Sequence, residues 1–140
     1  MATSDNVVRA GLTPKLRDVP TLVSMLTYTT APADAQLMPP TSFRGLKHTQ
    51  LYDPPIEEFS VLHTKLHGGE EETQAGVEGP SILIVTGGKG EIQCEGVKGS
   101  VGEGSVWFVG AGREVRLKQG GEGELSAYRA FVEVPQGKEE

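Results

Sequence analysis

From residue 59 onward, apolar residues come in runs too short for helices. Phe59 to Leu66 predicts a strand, Ile82 to Thr86 is a continuous apolar run of the kind expected for a strand covered on both faces, and Glu91 to Glu95 alternates polar with apolar. Val106 to Val109 is a second continuous run, Glu114 to Lys118 puts Val115 and Leu117 inward, and Leu125 to Val134 is long and rich in β-formers. Gly87-Gly88-Lys89-Gly90 reads as a hairpin loop, and Gly110 to Gly112 as the turn after Val109. Strands of about five residues, parted by glycine turns at intervals of roughly 8 to 12, predict a sandwich or barrel.

The first 28 residues have a different texture. Val7 and Val8 open a short extended stretch that meets Gly11, and Asp18 is placed to cap a helix with Pro20 in its first turn. Val19, Leu22, Val23 and Leu26 fall at i, i+3, i+4 and i+7, so one face of that helix needs a partner. From Thr29 to Gly45, Pro32, Pro39 and Pro40 leave room for no regular element, and the segment reads as a connection. Pro135 to Glu140 predicts a disordered tail.

Composition narrows the function classes. The 140 residues suit one compact domain with a short appendage, and 19 Gly with 9 Pro agree with many turns. A formal charge of −6 with no Lys/Arg run argues against nucleic acid or an anionic membrane as partner, since both need clustered positive charge. No basic leader precedes an apolar core, and nowhere do about 18 apolar residues run together, so the expected location is cytoplasmic. Cys94, the sole cysteine, reads as an inert thiol on the inward side of a strand.

The candidate chemistry is sparse. Gly104, Gly110 and Gly112 reproduce the glycine spacing of the second metal motif of cupin barrels, but Val115 stands where its histidine would be. The first motif needs His-x-His, whereas His63 and His67 are four apart, a separation of roughly 13 Å on a strand. His63, His67 and His48 are therefore read as surface or partly packed histidines, and no metal ligand is expected. No G-x-S-x-G elbow is present. Glu70, Glu71 and Glu72 read as a solvated loop tip, and Asp53-Pro54-Pro55 as a turn. What remains is the run Ser4 to Lys15, where Arg9 and Lys15 flank Gly11, Thr13 and Pro14 on a sharply turning backbone. That arrangement suits an anionic substrate or a developing oxyanion; the alternative is a pair of surface cations near a helix start.

In this run, Met-Ala-Thr-Ser-Asp-Asn-Val-Val-Arg-Ala-Gly-Leu-Thr-Pro-Lys, the sequence resembles the C-terminal third of type I phosphomannose isomerases, in a fungal form. The likeness continues through Val19 to Val23, Met25 to Tyr28, Leu51 to Ile56, Glu58 to Leu62, Gly79 to Ile82 and Tyr128 to Glu133. It implies a zinc-dependent interconversion of mannose 6-phosphate and fructose 6-phosphate, with Arg9 as an active-site residue and Lys15 close to it, in contact with substrate. It also implies a mainly β fold. Residues 1–45 would be the closing strand-helix remnant of the catalytic barrel, 46–134 a metal-free cupin-like jelly-roll barrel, and 135–140 the tail.

The family's zinc ligands, a Gln-x-His pair, a Glu and a His, lie before the matching segment and have no counterpart here. Met1 coincides with an internal methionine of the family pattern. The resemblance therefore implies a truncated gene model, a fragment or a degenerate paralogue. Such a chain would be inactive alone, bind no zinc of its own, expose the apolar face of the 19–26 helix, and dock on the missing catalytic portion. Two other readings stay open: a non-catalytic cupin-like module that binds a sugar phosphate or docks on a full-length isomerase, and a metal cupin using His63 and His67.

Overall fold

The computed structural model describes residues 7–132. The expected tail at 135–140, the end of the 125–134 run and residues 4–6 of the N-terminal run lie outside these. The chain divides after Leu37 into two compact units.

In the first unit Val7 and Val8 join no strand, and helix α1 spans Val19–Met25. Asp18 caps it as expected, with Pro20 in the first turn, where a missing N–H costs nothing. None of its residues is buried: Val19, Val23, Met25 and Leu26 are exposed and Leu22 is half-buried. A single 3₁₀ turn, Ala33–Gln36, interrupts the proline-rich connection.

The second unit is a jelly roll. Its described strands are β1 (Thr41–Ser42), β2 (Thr49–Tyr52), β3 (Ser60–Leu66), β4 (Glu71–Gln74), β5 (Ser81–Gly87), β6 (Lys89–Cys94), β7 (Val97–Gly102), β8 (Val106–Val109), β9 (Val115–Gln119) and β10 (Leu125–Phe131). They form a six-stranded sheet ordered β1-β2-β3-β10-β5-β8 and a four-stranded sheet ordered β4-β9-β6-β7, with antiparallel pairing throughout. After β3 the chain crosses between the sheets at every connection except the β6–β7 hairpin. β1 pairs with β2 and Phe43 is buried, so the end of the 29–45 connection already belongs to the β fold.

Inward residues of the two sheets meet in one apolar cluster that includes Leu66, Leu83, Val85, Ile92, Val115, Leu117 and Leu125; Phe43, Leu62, Val77 and Phe131 form a second. The core obeys the period-2 rule: Leu83 and Val85 are buried while Ile82 and Ile84 are not. The continuous apolar runs at 82–86 and 106–109 are therefore covered on one face only, contrary to expectation. The 87–90 link is not a hairpin either, because β5 pairs with β10 and β8 while β6 pairs with β7 and β9. It carries the chain from one sheet to the other, with Gly88 at φ +77°, packed so closely on the Glu124 carbonyl that no Cβ would fit.

Candidate functional site

Residues 9–18 form a closed loop. The Asp18 N–H donates to the Arg9 carbonyl at 2.8 Å, which ties residues 10–17 off at their base. Within the loop the Lys15 N–H donates to Thr13 Oγ1 at 3.3 Å. Arg9 is half-buried, and Lys15 and Arg17 are exposed. Asp18, the acid at the base, is committed to the helix start: its Oδ1 accepts from the Thr21 N–H at 3.1 Å and its Oδ2 from the Thr21 hydroxyl at 2.7 Å. Those hydrogen bonds hold its carboxyl below the usual carboxylate range. Arg9, Lys15 and Arg17 are thus the cations of a loop whose one carboxylate, Asp18, is already engaged by Thr21. Arg17 gave no signal in the sequence, where it is one more charge before a helix.

The other concentration of polar groups lies inside the barrel. Arg129 on β10 points inward and is 1% exposed; its Nε donates to Ser81 Oγ at 2.9 Å and its Nη1 to Gln74 Oε1 at 3.1 Å. Gln74 Nε2 donates to Thr64 Oγ1 at 2.7 Å, and Thr64 lies 2.7 Å from the Thr49 hydroxyl. Thr49 in turn donates to Glu72 Oε2 at 2.5 Å, while Glu72 Oε1 accepts the N–H groups of Lys47 and His48 at 2.8 and 2.9 Å. Glu72 is therefore a buried acceptor on β4 and not part of a loop tip, although Glu71 remains outside, paired with Arg116 at 2.6 Å. Burial pushes the Arg129 guanidinium below its usual range.

This interior does not fit zinc. Glu72 and Gln74 have the spacing of a His-x-His pair, and Gln74 faces Val115 across β4 and β9, the position where the second motif would supply histidine. Every oxygen of that pair already accepts a hydrogen bond, and a buried guanidinium beside it would repel a divalent cation. The three histidines are scattered. His63 lies on the outer face of the six-stranded sheet, 8% exposed and stacked on Tyr128; His67 pairs with Glu124 at 3.2 Å and His48 with Glu70 at 3.4 Å. Among the described residues no three His, Cys, Asp or Glu side chains gather to hold a metal. Cys94 ends β6, partly exposed and packed against the apolar cluster.

Residues 50–96 match the family model described as phosphomannose isomerase type I C-terminal. The chain is 54% identical over 137 residues to the mannose-6-phosphate isomerase of Cryptococcus neoformans, a match covering 96% of this chain and 31% of that protein. It is 49% identical over 138 residues to the Saccharomyces cerevisiae mannose-6-phosphate isomerase, covering 95% and 32% respectively. Among solved structures, the Salmonella typhimurium mannose 6-phosphate isomerase bound to substrate and a zinc atom superimposes with a TM-score of 0.72 at 26% identity, over 96% of this chain and 32% of that one. The chain spans about a third of the length of the curated relatives it matches. By this likeness the chain corresponds to the C-terminal region of the type I phosphomannose isomerases.

Proposed function

We propose that this chain is the C-terminal third of a zinc-dependent enzyme that interconverts mannose 6-phosphate and fructose 6-phosphate, and that it supplies Arg9 and Lys15 to an active site completed by the preceding portion. The observation that carries this reading is the extent of the match. At 96% of the chain it leaves only a few residues out, so it takes in the closed loop as well as the barrel.

Moving a proton between adjacent carbons of a sugar places negative charge on the neighbouring oxygens as the proton leaves. The guanidinium of Arg9, a residue whose backbone closes the base of the loop, suits those oxygens, because its planar fork donates two parallel hydrogen bonds. Lys15, a compact charge further round the loop, suits the substrate's anionic end. Zinc, implied for the intact enzyme, finds no ligand set among the described residues, so this reading assigns its ligands to the preceding portion. The doubly charged sugar phosphate does not cross membranes unaided, which favours the cytoplasm as the place of the activity. The sugar-phosphate-binding module is the weaker reading. The cleft lined by Phe43, Leu51, Phe59 and Phe131 carries Asp53 and Glu57, the wrong sign for phosphate.

The test is a chimera that joins the preceding portion of the Cryptococcus neoformans relative to residues 1–140. It should isomerise mannose 6-phosphate, Arg9→Ala should lower kcat by about 10²-fold or more, and Lys15→Ala should act mainly on KM. Residues 1–140 alone should show no turnover. Turnover by that chain alone, with one tightly held zinc, or an Arg9→Ala chimera as active as its parent, would overturn the reading.

A further inference from the structure

A cleft of about 280 Å³ opens beside the second apolar cluster of the barrel, at the small end of the range for ligand sites. Its floor includes Leu51 with Phe43 and Phe131, two buried rings that meet edge to face with centroids 5.9 Å apart. The link from β2 to β3, residues 53–59, forms the lip and contributes Asp53, Glu57 and Phe59. Two hydrogen bonds hold that lip: the Ile56 N–H donates to the Pro54 carbonyl at 2.7 Å, and the Ser60 hydroxyl donates to Asp53 Oδ1 at 2.7 Å. Both carboxylates are exposed. No Lys, Arg or His lines the cleft, and among the described residues neither carboxylate has a cation partner.

We propose that this cleft binds a small organic cation, a primary ammonium on a ring-sized apolar body, with the ring on Phe43, Leu51 and Phe131 and the ammonium toward Asp53 and Glu57. Each part of such a ligand meets a matching part of the cleft. Burying the body removes apolar surface of ligand and floor from water. The ammonium gains Coulomb attraction from two carboxylates, which a neutral ligand leaves unused and an anion meets as repulsion. Aromatic walls act in the same direction, because the face of a phenyl ring attracts a cation. The Phe43 ring already does so elsewhere on its surface: the Arg44 guanidinium stands 4.8 Å from its centroid, tied to the Gly76 carbonyl at 3.0 Å. With the lip held by Ser60 and Pro54, binding has little ordering left to do. A cleft this small encloses a ring and a short chain, not a polypeptide segment, which selects a small molecule over a partner protein. The site lies wholly within the jelly roll, so the inference does not depend on the isomerase reading.

The test titrates phenethylammonium chloride into the isotope-labelled chain, residues 1–140, near neutral pH and at low salt. Amide shifts should follow one saturating curve and concentrate at Phe43, at 51–60 and at Phe131. Phenethyl alcohol, the same body without charge, should bind about 5-fold or more weakly, and hydrocinnamate, its negative counterpart, more weakly still. Asp53→Asn, which keeps an oxygen for the Ser60 hydroxyl, and Glu57→Gln should each weaken the ammonium about 5-fold and leave phenethyl alcohol unaffected. Phe59→Ala should weaken both ligands by a similar factor. Equal affinity for the charged and neutral ligands overturns the proposal, and so does unchanged ammonium affinity in both acid variants. Absence of saturable shifts up to about 10 mM, a contact worth too little to count as a site, overturns it as well. A dimeric mass in light scattering, with the cleft amides shifting on dilution, would give the cleft to a second copy and overturn it too.

Discussion

His63 and Tyr128 sit directly opposite each other on β3 and β10, rings stacked with centroids 4.1 Å apart and planes 7° from parallel. His63 Nε2 lies 3.1 Å from Ser126 Oγ. Burial under the stack, helped by nearby Lys65 and opposed by Glu124, lowers the imidazole's pKa below its ordinary value. The folded state thus favours neutral histidine, and the unfolded chain takes up the proton first as pH falls. The stability this site contributes is complete above the unfolded value, about 6.5, and is lost as pH drops from there through the folded value. Urea midpoints at pH 7.5 and 5.5 should fall more for the natural chain than for His63→Phe, which keeps the stack but cannot titrate. Equal falls would show that His63 is not the group responsible.

Arg129 is one of the side chains through which the interior network ties the two sheets together. Gln74→Leu on β4 deprives Arg129 on β10 of a carbonyl acceptor and should lower stability by about 1.5–3 kcal/mol, the range for hydrogen bonds to charged groups. Arg129→Met removes the charge but leaves Ser81 and Gln74 unpaired in the core. The double variant removes both partners, so its loss should fall short of the summed single losses by about 0.5–3 kcal/mol. Additive losses in urea unfolding would show that the 3.1 Å contact carries no coupling.

Glu72 holds the segment entering β2 against β4 by accepting from two backbone N–H groups and one hydroxyl. Glu72→Leu strands those donors, at about 1–3 kcal/mol for each left unsatisfied. Glu72→Gln keeps the shape and one carbonyl and should cost less. The expected order of unfolding midpoints is natural chain, then Gln, then Leu. Amide exchange at Lys47 and His48 should quicken most in the Leu variant.

Most strands that contribute apolar residues to the core were legible in the sequence: β3, β5, β6, β8, β9 and β10 each coincide with a run that reads as β. The strands missed mix polar residues or glycine with at most a few apolar ones on the inward face, such as Val101 on β7 and Leu51 on β2. β4 has no hydrophobic residue, because its buried positions are Glu72 and Gln74 and it is held by hydrogen bonds. β7 turns Gly99 inward beneath the Trp107 ring, and β2 buries Thr49. The opposite error, two-sided burial for 82–86 and 106–109, arose because an apolar outer face looks in one dimension like a second buried face. The N-terminal loop is a different case: Arg9 and Lys15 stood out by resemblance, while the bond from Asp18 to Arg9 that closes the loop has no sequence signature.

Gly99 offers a test of the packing between the sheets with a built-in reporter, since Trp107 is the single tryptophan. A Cβ on Gly99 would lie 2.6 Å from the Trp107 ring, so Gly99→Ala must push the indole out of its place between β7 and β8. Overpacking of this kind costs about 1–3 kcal/mol, and the displaced indole should become more solvated, with red-shifted emission and weaker near-ultraviolet dichroism. Gly96→Ala is the matched control: it has open space around it but φ +81°, so its loss of about 1–2 kcal/mol comes from backbone strain alone. The two variants should therefore both lower the unfolding midpoint while only Gly99→Ala changes the tryptophan spectrum. An unaltered spectrum in Gly99→Ala would mean that the indole does not rest on β7.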